Sequence, residues 1–308
     1  MIEIRNLTRR YGSVQALSHV NLRVEEGCIL GLLGQNGAGK TTLLNILTGY
    51  LAPTEGQVLL DGYDPLLEPA MAKRRLGYLP EQPPLYDEMT VQEYLRFAAE
   101  LKGVESRGIA AHVDEVMALT GLTAMRRRLI GHLSKGYRQR AGMAQALCGD
   151  PDILVLDEPT VGLDPKQVTE MRALIRKLGQ GRTIVFSSHI LSEVQQLCDH
   201  VVILDHGEVK LEQQVKAIGS QEEVTLRCIM AAQESRVLEK LRSLEDVWRV
   251  EKQPHARPEE TAALITFRHV NEPERRLFDL MSSMNIPILH LSRCEDSLEQ
   301  VFLSVISG

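Results

Sequence analysis

Four runs of apolar or small residues divide the chain. They occupy residues 28–33, 153–156, 183–186 and 201–204. A strand that is buried on both faces shows no polar alternation, so such runs predict strands inside a sheet. The runs alternate with helical segments. This alternation predicts an α/β fold with a parallel sheet that is covered on both faces.

Two segments near the N-terminus alternate apolar and polar side chains instead. Residues 2–7 and 18–25 show this pattern, which is typical of half-buried strands. Tyr11-Gly12 lies between them and predicts a turn that presents an aromatic ring to one side.

Further strands are predicted at residues 56–60 and 76–79. Asp61-Gly62 follows the first of these, and this dipeptide favours a hairpin turn. The proline-rich residues 80–84 follow the second. Proline cannot continue a helix, so this segment predicts an irregular connection.

A helical region is expected in the middle of the chain. Apolar residues recur at helical spacing in 91–101 and 113–122. A third helix is predicted up to residue 147, with Ser134 as its N-cap.

The last part of the chain, from about residue 222, has a different rhythm. Its predicted order is β-α-β-β-α-β, which favours a ferredoxin-like unit. The six elements are residues 224–230, 235–244, 247–252, 262–267, 274–284 and 286–291. A final helix is predicted at 296–306. This region contains no catalytic constellation.

The net charge of the chain limits the classes of partner that it is expected to bind. The 308 residues carry a net charge of −6, which argues against nucleic acid or anionic lipid as the main partner. Two basic clusters, residues 73–75 and 126–128, are interpreted as solvated faces. The length favours one large domain and a smaller one.

The five cysteines are scattered, and none forms a C-x-x-C pair. Neither a disulfide framework nor a zinc site is therefore indicated, and reduced thiols are expected. No apolar run approaches the 18 or so residues of a membrane-spanning helix, and residues 1–5 do not resemble a signal peptide. A role at a membrane would require docking onto another subunit.

Residues 34–42 carry the clearest chemical signal. Their sequence, Gly-Gln-Asn-Gly-Ala-Gly-Lys-Thr-Thr, fits the phosphate-binding pattern of two glycines followed by Lys and Ser/Thr. The segment lies between a predicted strand and a predicted helix at 43–47. Glycines allow the backbone to approach an anion, and unpaired N–H groups at a helix start favour phosphate. A nucleoside triphosphate is therefore expected here.

Further motifs narrow this to one family. Residues 133–137, Leu-Ser-Lys-Gly-Tyr, form the signature segment and precede Asp157-Glu158. With residues 161–164 and His189, they strongly resemble the nucleotide-binding subunits of ABC transporters. The resemblance runs from residue 2 to about 213. Residues 77–81 and 133–139 are most similar to the ATPases of ABC-2-type exporters, especially gliding-motility-type subunits.

The resemblance implies a fold and a domain division. The implied fold is the P-loop NTPase fold of ABC type, with a mixed sheet core, an antiparallel β subdomain and a helical subdomain. The ABC ATP-binding domain is expected at residues 1–213, with its helical subdomain at about 86–150. A small α+β, ferredoxin-like accessory domain is expected at 222–308.

The resemblance assigns ATP to the site with Mg²⁺ as its metal. Tyr11 corresponds to the aromatic residue that stacks on adenine, although a surface tyrosine remains an alternative. Lys40 reaches the outer phosphates and Thr41 ligates Mg²⁺. The cofactor-binding residues of the phosphate loop are Gly34, Asn36, Gly37, Ala38, Gly39, Lys40, Thr41 and Thr42.

Two adjacent carboxylates end the strand predicted at 153–156. By resemblance, Asp157 holds Mg²⁺ through a water, and Glu158 orients or deprotonates the attacking water. Successive side chains of a strand point to opposite sides, so the two can divide these tasks. His189 is expected to sense the γ-phosphate. The predicted catalytic residues are therefore Glu158 and His189.

The family binds ATP between two head-to-tail subunits. By resemblance, Ser134 and Gly136 of one subunit complete the site of the other, and Asp164 bridges the two. The signature segment departs from the usual Leu-Ser-Gly-Gly-Gln at Lys135 and Tyr137. Lys135 either strengthens the phosphate contact or faces solvent.

A second departure affects the metal site. The loop that usually supplies a glutamine to Mg²⁺ has Glu81 at that position, with Gln82 next to it. Glu81 is the preferred ligand, with Thr41 and Asp157 as the others. Neither departure removes a catalytic group, so an active ATPase is expected.

The resulting hypothesis is an ATPase subunit that couples ATP-driven dimer closure to export by a separate ABC-2-type membrane permease. The expected assembly is a homodimer, or a heterodimer with a related ATPase, held peripherally at the cytoplasmic face of the inner (cell) membrane. A soluble ABC ATPase acting on ribosomes or DNA is the first alternative. Such chains usually carry two cassettes or long insertions, and this one has neither. A regulatory module that binds ATP without turnover is the other, and Glu158 and His189 argue against it.

Overall fold

The computed structural model describes residues 1–215, 223–232, 234–244, 246–254, 257, 259–268, 270, 272–294 and 302. The chain divides into two compact units, Met1–Val215 and Lys216–Gly308. Each unit has its own sheet structure and its own apolar core.

The first unit alternates strands and helices. Its strands are β1 (Ile2–Tyr11), β2 (Val14–Val24), β3 (Ile29–Leu33), β4 (Glu55–Leu60), β5 (Leu76–Leu79), β6 (Ile153–Asp157), β7 (Thr183–Ser187), β8 (His200–Asp205) and β9 (Glu208–Gln214). Its α-helices are α1 (Lys40–Leu47), α2 (Pro69–Arg75), α3 (Val91–Leu101), α4 (Ile109–Thr120), α5 (Lys135–Leu147), α6 (Pro165–Gly179) and α7 (Leu191–Leu197).

A six-stranded sheet forms the centre of this unit, in the order β5-β6-β7-β3-β8-β9. The first five of these strands are parallel, and β9 pairs antiparallel with β8. Strands β3, β6 and β7 are buried along their whole length. The apolar runs in the sequence therefore mark the interior of a mixed sheet, as predicted.

A second sheet is antiparallel and has the order β2-β1-β4. Its strands are longer than their alternating patterns indicate, because pairing continues to the turn after Tyr11, where Tyr11 faces Val14. Asp61 and Gly62 both have positive φ, 49° and 86°, as a two-residue hairpin turn requires. The inner face of this sheet shares one apolar core with α1 and the central sheet. The antiparallel β subdomain is confirmed.

Helices α3, α4 and α5 pack against one another and form the helical subdomain. Helix α3 begins with a capping box, in which Thr90 and Glu93 satisfy each other's backbone N–H groups. Helix α4 ends at Gly121, which adopts the left-handed conformation. Both ends therefore follow from local sequence.

Some boundaries and elements differ from the sequence prediction. Helix α1 begins three residues earlier than predicted, at Lys40. Helix α2 was not predicted, because Ala72 is its one buried residue and the segment lacks an apolar face. Strand β9 was not predicted either. The proline-rich residues 80–84 form no helix or strand, as expected.

In the part of the second unit that the structure describes, four strands and two helices have assigned bounds. These are β10 (Glu223–Met230), α8 (Glu234–Arg242), β11 (Val247–Gln253), β12 (Thr261–Arg268), α9 (Pro273–Ser283) and β13 (Ile288–Cys294). The sheet order is β11-β12-β10-β13 and every pairing is antiparallel. This is the ferredoxin-like arrangement that the β-α-β-β-α-β order predicts. The final helix predicted at 296–306 lies outside the described residues, apart from Phe302.

In the described part of the chain, no helix is both long and apolar enough to cross a bilayer. Four described cysteines carry free thiols. Burial raises the pKa of Cys28 to about 11 and the pKa values of Cys148 and Cys228 to about 12. Burial also raises the pKa of Cys198.

These thiols will react slowly in the folded protein, because the thiolate is the reactive form and raised pKa values keep it scarce at about pH 8. In a Cys294→Ser variant, we expect less than about half a thiol per chain to react with Ellman's reagent in an hour. All four remaining thiols will react after unfolding in guanidinium, which is the internal control. Rapid reaction of a whole equivalent in the folded protein would contradict the assigned burial.

Candidate functional site

The sheet order collects the predicted chemical residues at one edge. Strands β5, β6, β7 and β3 are parallel neighbours, so their carboxyl ends lie side by side. Glu81 follows β5, Asp157-Glu158 ends β6, and His189 follows β7. The phosphate loop follows β3. This is the edge at which open parallel sheets bind ligands.

The phosphate loop connects β3 to α1 through glycines that no other residue can replace without strain. Gly37 and Gly39 have φ values of 85° and 107°. A Cβ atom on Gly39 would lie 2.6 Å from the carbonyl oxygen of Ala16, and one on Gly34 would lie 2.4 Å from that of Leu204. The loop is therefore held close to neighbouring backbone, and the N–H of Ala38 donates to Gln35 O at 3.1 Å within the loop.

Lys40 starts α1 and lies inside the loop, with 8% of its surface exposed. Its Nζ donates to the carbonyl oxygens of Gly34 at 2.6 Å and Gln35 at 3.1 Å. Burial lowers the pKa of Lys40, and the carboxylates of Glu158 and Asp157 oppose this effect. The ammonium group is thus desolvated and close to two negative charges.

Asp157 ends β6 opposite the last residue of β7 and is 5% exposed. Burial raises the pKa of its carboxyl group, and the negative charges of Glu158 and Glu81 raise this pKa further. Three carboxylates therefore face one region with Lys40 as the nearby cation. Such an oxygen-rich, negatively charged set suits a hard divalent cation. Among the described residues, no three His, Cys, Asp or Glu side chains converge to form a metal site by themselves.

Glu158 and His189 are in direct contact. His189 Nδ1 lies 2.8 Å from Glu158 Oε2. Glu158 has a φ of 48°, a left-handed conformation that costs a residue with a side chain about 1 kcal/mol. Its backbone N–H donates to Ser187 O at 3.1 Å, which helps to hold this conformation. The strained backbone directs the carboxylate to the histidine.

Tyr11 lies at the end of β1 and is 46% exposed. The guanidinium carbon of Arg9 is 4.6 Å from the centre of its ring. The guanidinium group of Arg9 therefore lies over one face of the Tyr11 ring and helps to hold the ring in this orientation.

Ser134 and Gly136 lie at the start of α5. Ser134 Oγ accepts from the N–H of Tyr137 at 3.5 Å and caps the helix. Gly136 is buried against α6, and a Cβ atom there would lie 2.5 Å from the side chain of Gln167. Asp164 caps α6 by accepting from the N–H of Gln167 at 2.8 Å. The signature segment thus packs on the Asp164 loop of its own chain.

Lys135 is exposed and crosses this same loop. A Cβ atom on Gly162 would coincide with the ammonium end of Lys135, at 1.8 Å. The side chain therefore lies over Gly162 of its own subunit while it remains exposed to solvent.

Comparisons with known proteins agree on one family. The family model described as ABC transporter matches residues 17–161. Over 312 aligned residues, the chain is 35% identical to the bacitracin transport ATP-binding protein BcrA of Bacillus licheniformis, covering all of this chain and 98% of that protein. The chain belongs to the ABC transporter family. It is an ATP-binding subunit, and these subunits are ATPases.

Two further comparisons, one with a relative and one with a solved structure, agree with this family. The lantibiotic transport ATP-binding protein SrtF of Streptococcus pyogenes is 35% identical, over 73% of this chain and 95% of that protein. The dimeric structure of the bacterial ABC transporter cassette MJ0796 superimposes with a TM-score of 0.64 at 28% identity, covering 70% of this chain and 99% of that chain. The alignment with BcrA covers the whole chain and therefore includes the candidate site.

The ABC ATPase also contains a buried polar cluster that the sequence analysis missed. Glu193 Oε2 accepts from Thr160 Oγ1 at 2.7 Å and from Ser188 Oγ at 3.2 Å. All three residues are at least 97% buried. Glu193 lies in the first turn of α7, where acidic residues are common, so its type gives no functional signal. Two hydroxyl residues placed directly beside the catalytic motifs were the available indication.

Proposed function

We propose that this chain is the ATP-hydrolysing subunit of an ABC-2-type exporter, acting as a dimer on a separate membrane permease at the cytoplasmic face of the cell membrane. The contact between Glu158 and His189 beside the phosphate loop carries the proposal, because it pairs a base with a phosphate-sensing group. The names of the bacitracin and lantibiotic transport relatives support a role in transport.

ATP binding begins at the phosphate loop. N–H groups at the end of the loop and at the start of α1 bind the phosphates, and the helix dipole there also favours an anion. Lys40 exchanges its bonds to the Gly34 and Gln35 carbonyls for bonds to the outer phosphates. Tyr11 stacks on adenine from the end of β1.

The carboxylate cluster fits Mg²⁺. Asp157 is buried among like charges, so a cation relieves both its desolvation and the repulsion from Glu81 and Glu158. Thr41, Asp157 and Glu81 are the residues that would hold the ion, together with phosphate oxygens. Bound Mg²⁺ neutralises charge on the transferring phosphoryl group.

Glu158 acts on the attacking water. Its carboxylate accepts a hydrogen bond from Nδ1 of His189, which fixes the direction of the remaining oxygen lone pairs. The other ring nitrogen of His189 is available to the γ-phosphate. Phosphoryl transfer depends mainly on positioning and charge neutralisation, and this arrangement supplies both without a covalent intermediate.

A second subunit completes the site. Ser134 and Gly136 lie at a helix start, which suits a phosphate of the partner subunit for the same reason as the phosphate loop. The side chain of Gln167 packs on Gly136, and its backbone N–H donates to Asp164. The signature segment and the Asp164 loop are therefore joined and move as one body. ATP binding therefore closes the dimer, and hydrolysis reopens it.

A groove in the first unit fits the permease. It consists of two adjoining pockets that share Pro84: Pro80 lines the first, and Tyr94 of helix α3 lines the second. Tyr50 and Leu101 expose 83% and 72% of their surfaces at its rim. Tyr86 packs edge-on against Tyr94, with ring centres 5.9 Å apart. This apolar depression adjoins the loop that carries Glu81, so a partner bound there senses the metal site.

Leu101→Asp will weaken attachment to the membrane subunit, because it places a charge on the apolar rim of the groove. After gentle detergent extraction, we expect the amount of co-purifying multi-span membrane protein to fall at least about tenfold. ATP binding by the isolated subunit will not change. The measurement is quantitative mass spectrometry of the material captured by a tag on this chain.

Leu67→Asp is the matched control. Leu67 is 82% exposed and does not line the groove, so this variant should retain the membrane partner. Capture of ribosomes instead of a membrane protein by the unmodified chain would refute the transport role. Equal retention by both variants would refute the assigned docking groove.

A further inference from the structure

Glu193 is a buried carboxylate that lies outside the nucleotide-binding and catalytic residues described above. It exposes 2% of its surface, and one of its oxygens, Oε2, accepts from the hydroxyl groups of Thr160 and Ser188. Ser188 Oγ also accepts from the N–H of Ile190 at 3.0 Å. A single oxygen atom therefore joins two loops that are about 30 residues apart in the chain.

Both loops carry a catalytic residue next to the bonded hydroxyl. Thr160 follows Glu158 by two positions, and Ser188 immediately precedes His189. The two catalytic side chains meet at 2.8 Å, and Glu193 joins the loops that carry them. The Thr160 loop also includes the turn in which Val161 N donates to Glu158 O at 3.2 Å.

A carboxylate is a costly choice for simple packing at this place. Taking a charged group out of water is unfavourable, and an apolar side chain of similar volume usually packs at least as well. An oxygen atom that accepts two hydrogen bonds can fix the separation of two loops. This matters for catalysis, because small displacements of catalytic groups lower reaction rates strongly. The hydrogen bonds therefore favour a geometric role.

We infer that Glu193 is a positioning residue for ATP hydrolysis, which sets His189 against Glu158 through the hydroxyls of Ser188 and Thr160. The inference rests on the proposed function, since it assumes the catalytic roles of Glu158 and His189. Glu193 therefore acts through these two hydroxyl groups. Its loss lowers turnover of bound ATP and leaves the binding of ATP intact.

Steady-state ATP hydrolysis by the full-length protein tests this. Glu193→Ala should lower kcat about 10- to 100-fold while KM for ATP changes less than about twofold. In a His189→Ala background, the same substitution should lower the rate less than about twofold further, because the contact that it sets is already absent. A full additional loss in that background would overturn the inference.

Thr160 provides a gentler pair of variants, which decide the question if Glu193→Ala does not fold. Thr160→Val removes the hydroxyl at constant shape and should lower kcat about tenfold, whereas Thr160→Ser retains the bond and should recover most of the rate. Thr120→Val is the matched control: Thr120 is fully buried, and its hydroxyl donates to Val116 O at 2.8 Å within α4. We expect similar loss of stability with unchanged kcat.

The outcomes separate this inference from the proposed function. Wild-type turnover that Glu158→Gln abolishes, together with unchanged kcat in Thr160→Val, would refute the role of Glu193 alone. Absence of turnover in the wild-type protein would refute the proposed ATPase mechanism. A change in KM without a change in kcat would place Glu193 in nucleotide binding and would also overturn the inference.

Discussion

Glu158→Gln will stop ATP turnover and leave the subunits closed on bound ATP. Glutamine keeps the shape of the side chain, but it cannot take a proton from the attacking water. Loss of a general base typically costs 10²- to 10⁴-fold, so we expect at least about a hundredfold fall in kcat. Removing one charge beside Asp157 also relieves repulsion, so ATP will bind at least as tightly. Phosphate release and size-exclusion chromatography with light scattering in MgATP measure the two effects.

The closed state follows from the two-subunit site, because reopening requires hydrolysis. In saturating MgATP, the variant should elute as a dimer, and without nucleotide as a monomer. Glu115→Gln is the control, since Glu115 is exposed on α4 in the helical subdomain. It should match the wild-type protein in both measurements. A Glu158→Gln variant that stays monomeric in saturating ATP would rule out the proposed dimer mechanism.

Lys40→Met will abolish ATP binding and leave the nucleotide-free protein folded. Lys40 is 8% exposed, and burial lowers its pKa, so an uncharged side chain of similar length removes a desolvation cost. The lost bonds to the Gly34 and Gln35 carbonyls offset this gain. We expect the melting temperature without nucleotide to change by less than about 4 °C, which corresponds to about 1 kcal/mol or less.

The nucleotide-dependent part of stability separates binding from folding. A ligand at a hundred times its Kd stabilises a protein by about 2.7 kcal/mol, so the wild-type melting temperature should rise with MgATP. This rise should disappear in Lys40→Met. Lys102→Met is a close control, because Lys102 is a half-buried lysine that donates to two backbone carbonyls, those of Lys73 and Leu76. It should retain the full ATP-dependent rise. A Lys40→Met protein that keeps this rise would show that the phosphate loop is not the ATP site.

The fold could be predicted from the sequence wherever local patterns decide the structure. The apolar runs at 153–156 and 183–186 are inner strands, and the β-α-β-β-α-β order gave the correct sheet order of the second unit. Boundaries that depend on loop geometry were less accurate. Helix α1 begins at Lys40 because Gly39 ends the loop with a φ of 107°, which no hydrophobic pattern records.

Elements that depend on tertiary contacts escaped the prediction. Strand β9 exists because it pairs with the edge of β8, and its own residues alternate over only seven positions. The residues of the candidate site also divide into those that local sequence indicates and those that depend on tertiary contacts. Residue types at the strand ends indicated Asp157, Glu158 and His189. The hydrogen bonds of Glu193 depend on two loops meeting in space, and no local pattern of residues encodes that meeting.

The position of Lys135 has a consequence for substitutions in this chain. The space that a side chain at position 162 would need is already occupied by the Lys135 ammonium group, and Gly162 also has a φ of 70°. The two positions therefore share one volume, so a side chain at 162 would displace the flexible end of Lys135 and would also adopt a strained backbone conformation. A substitution of Lys135 by glycine, as in the usual Leu-Ser-Gly-Gly-Gln sequence, would empty that volume. Positions 135 and 162 should therefore be varied as a pair.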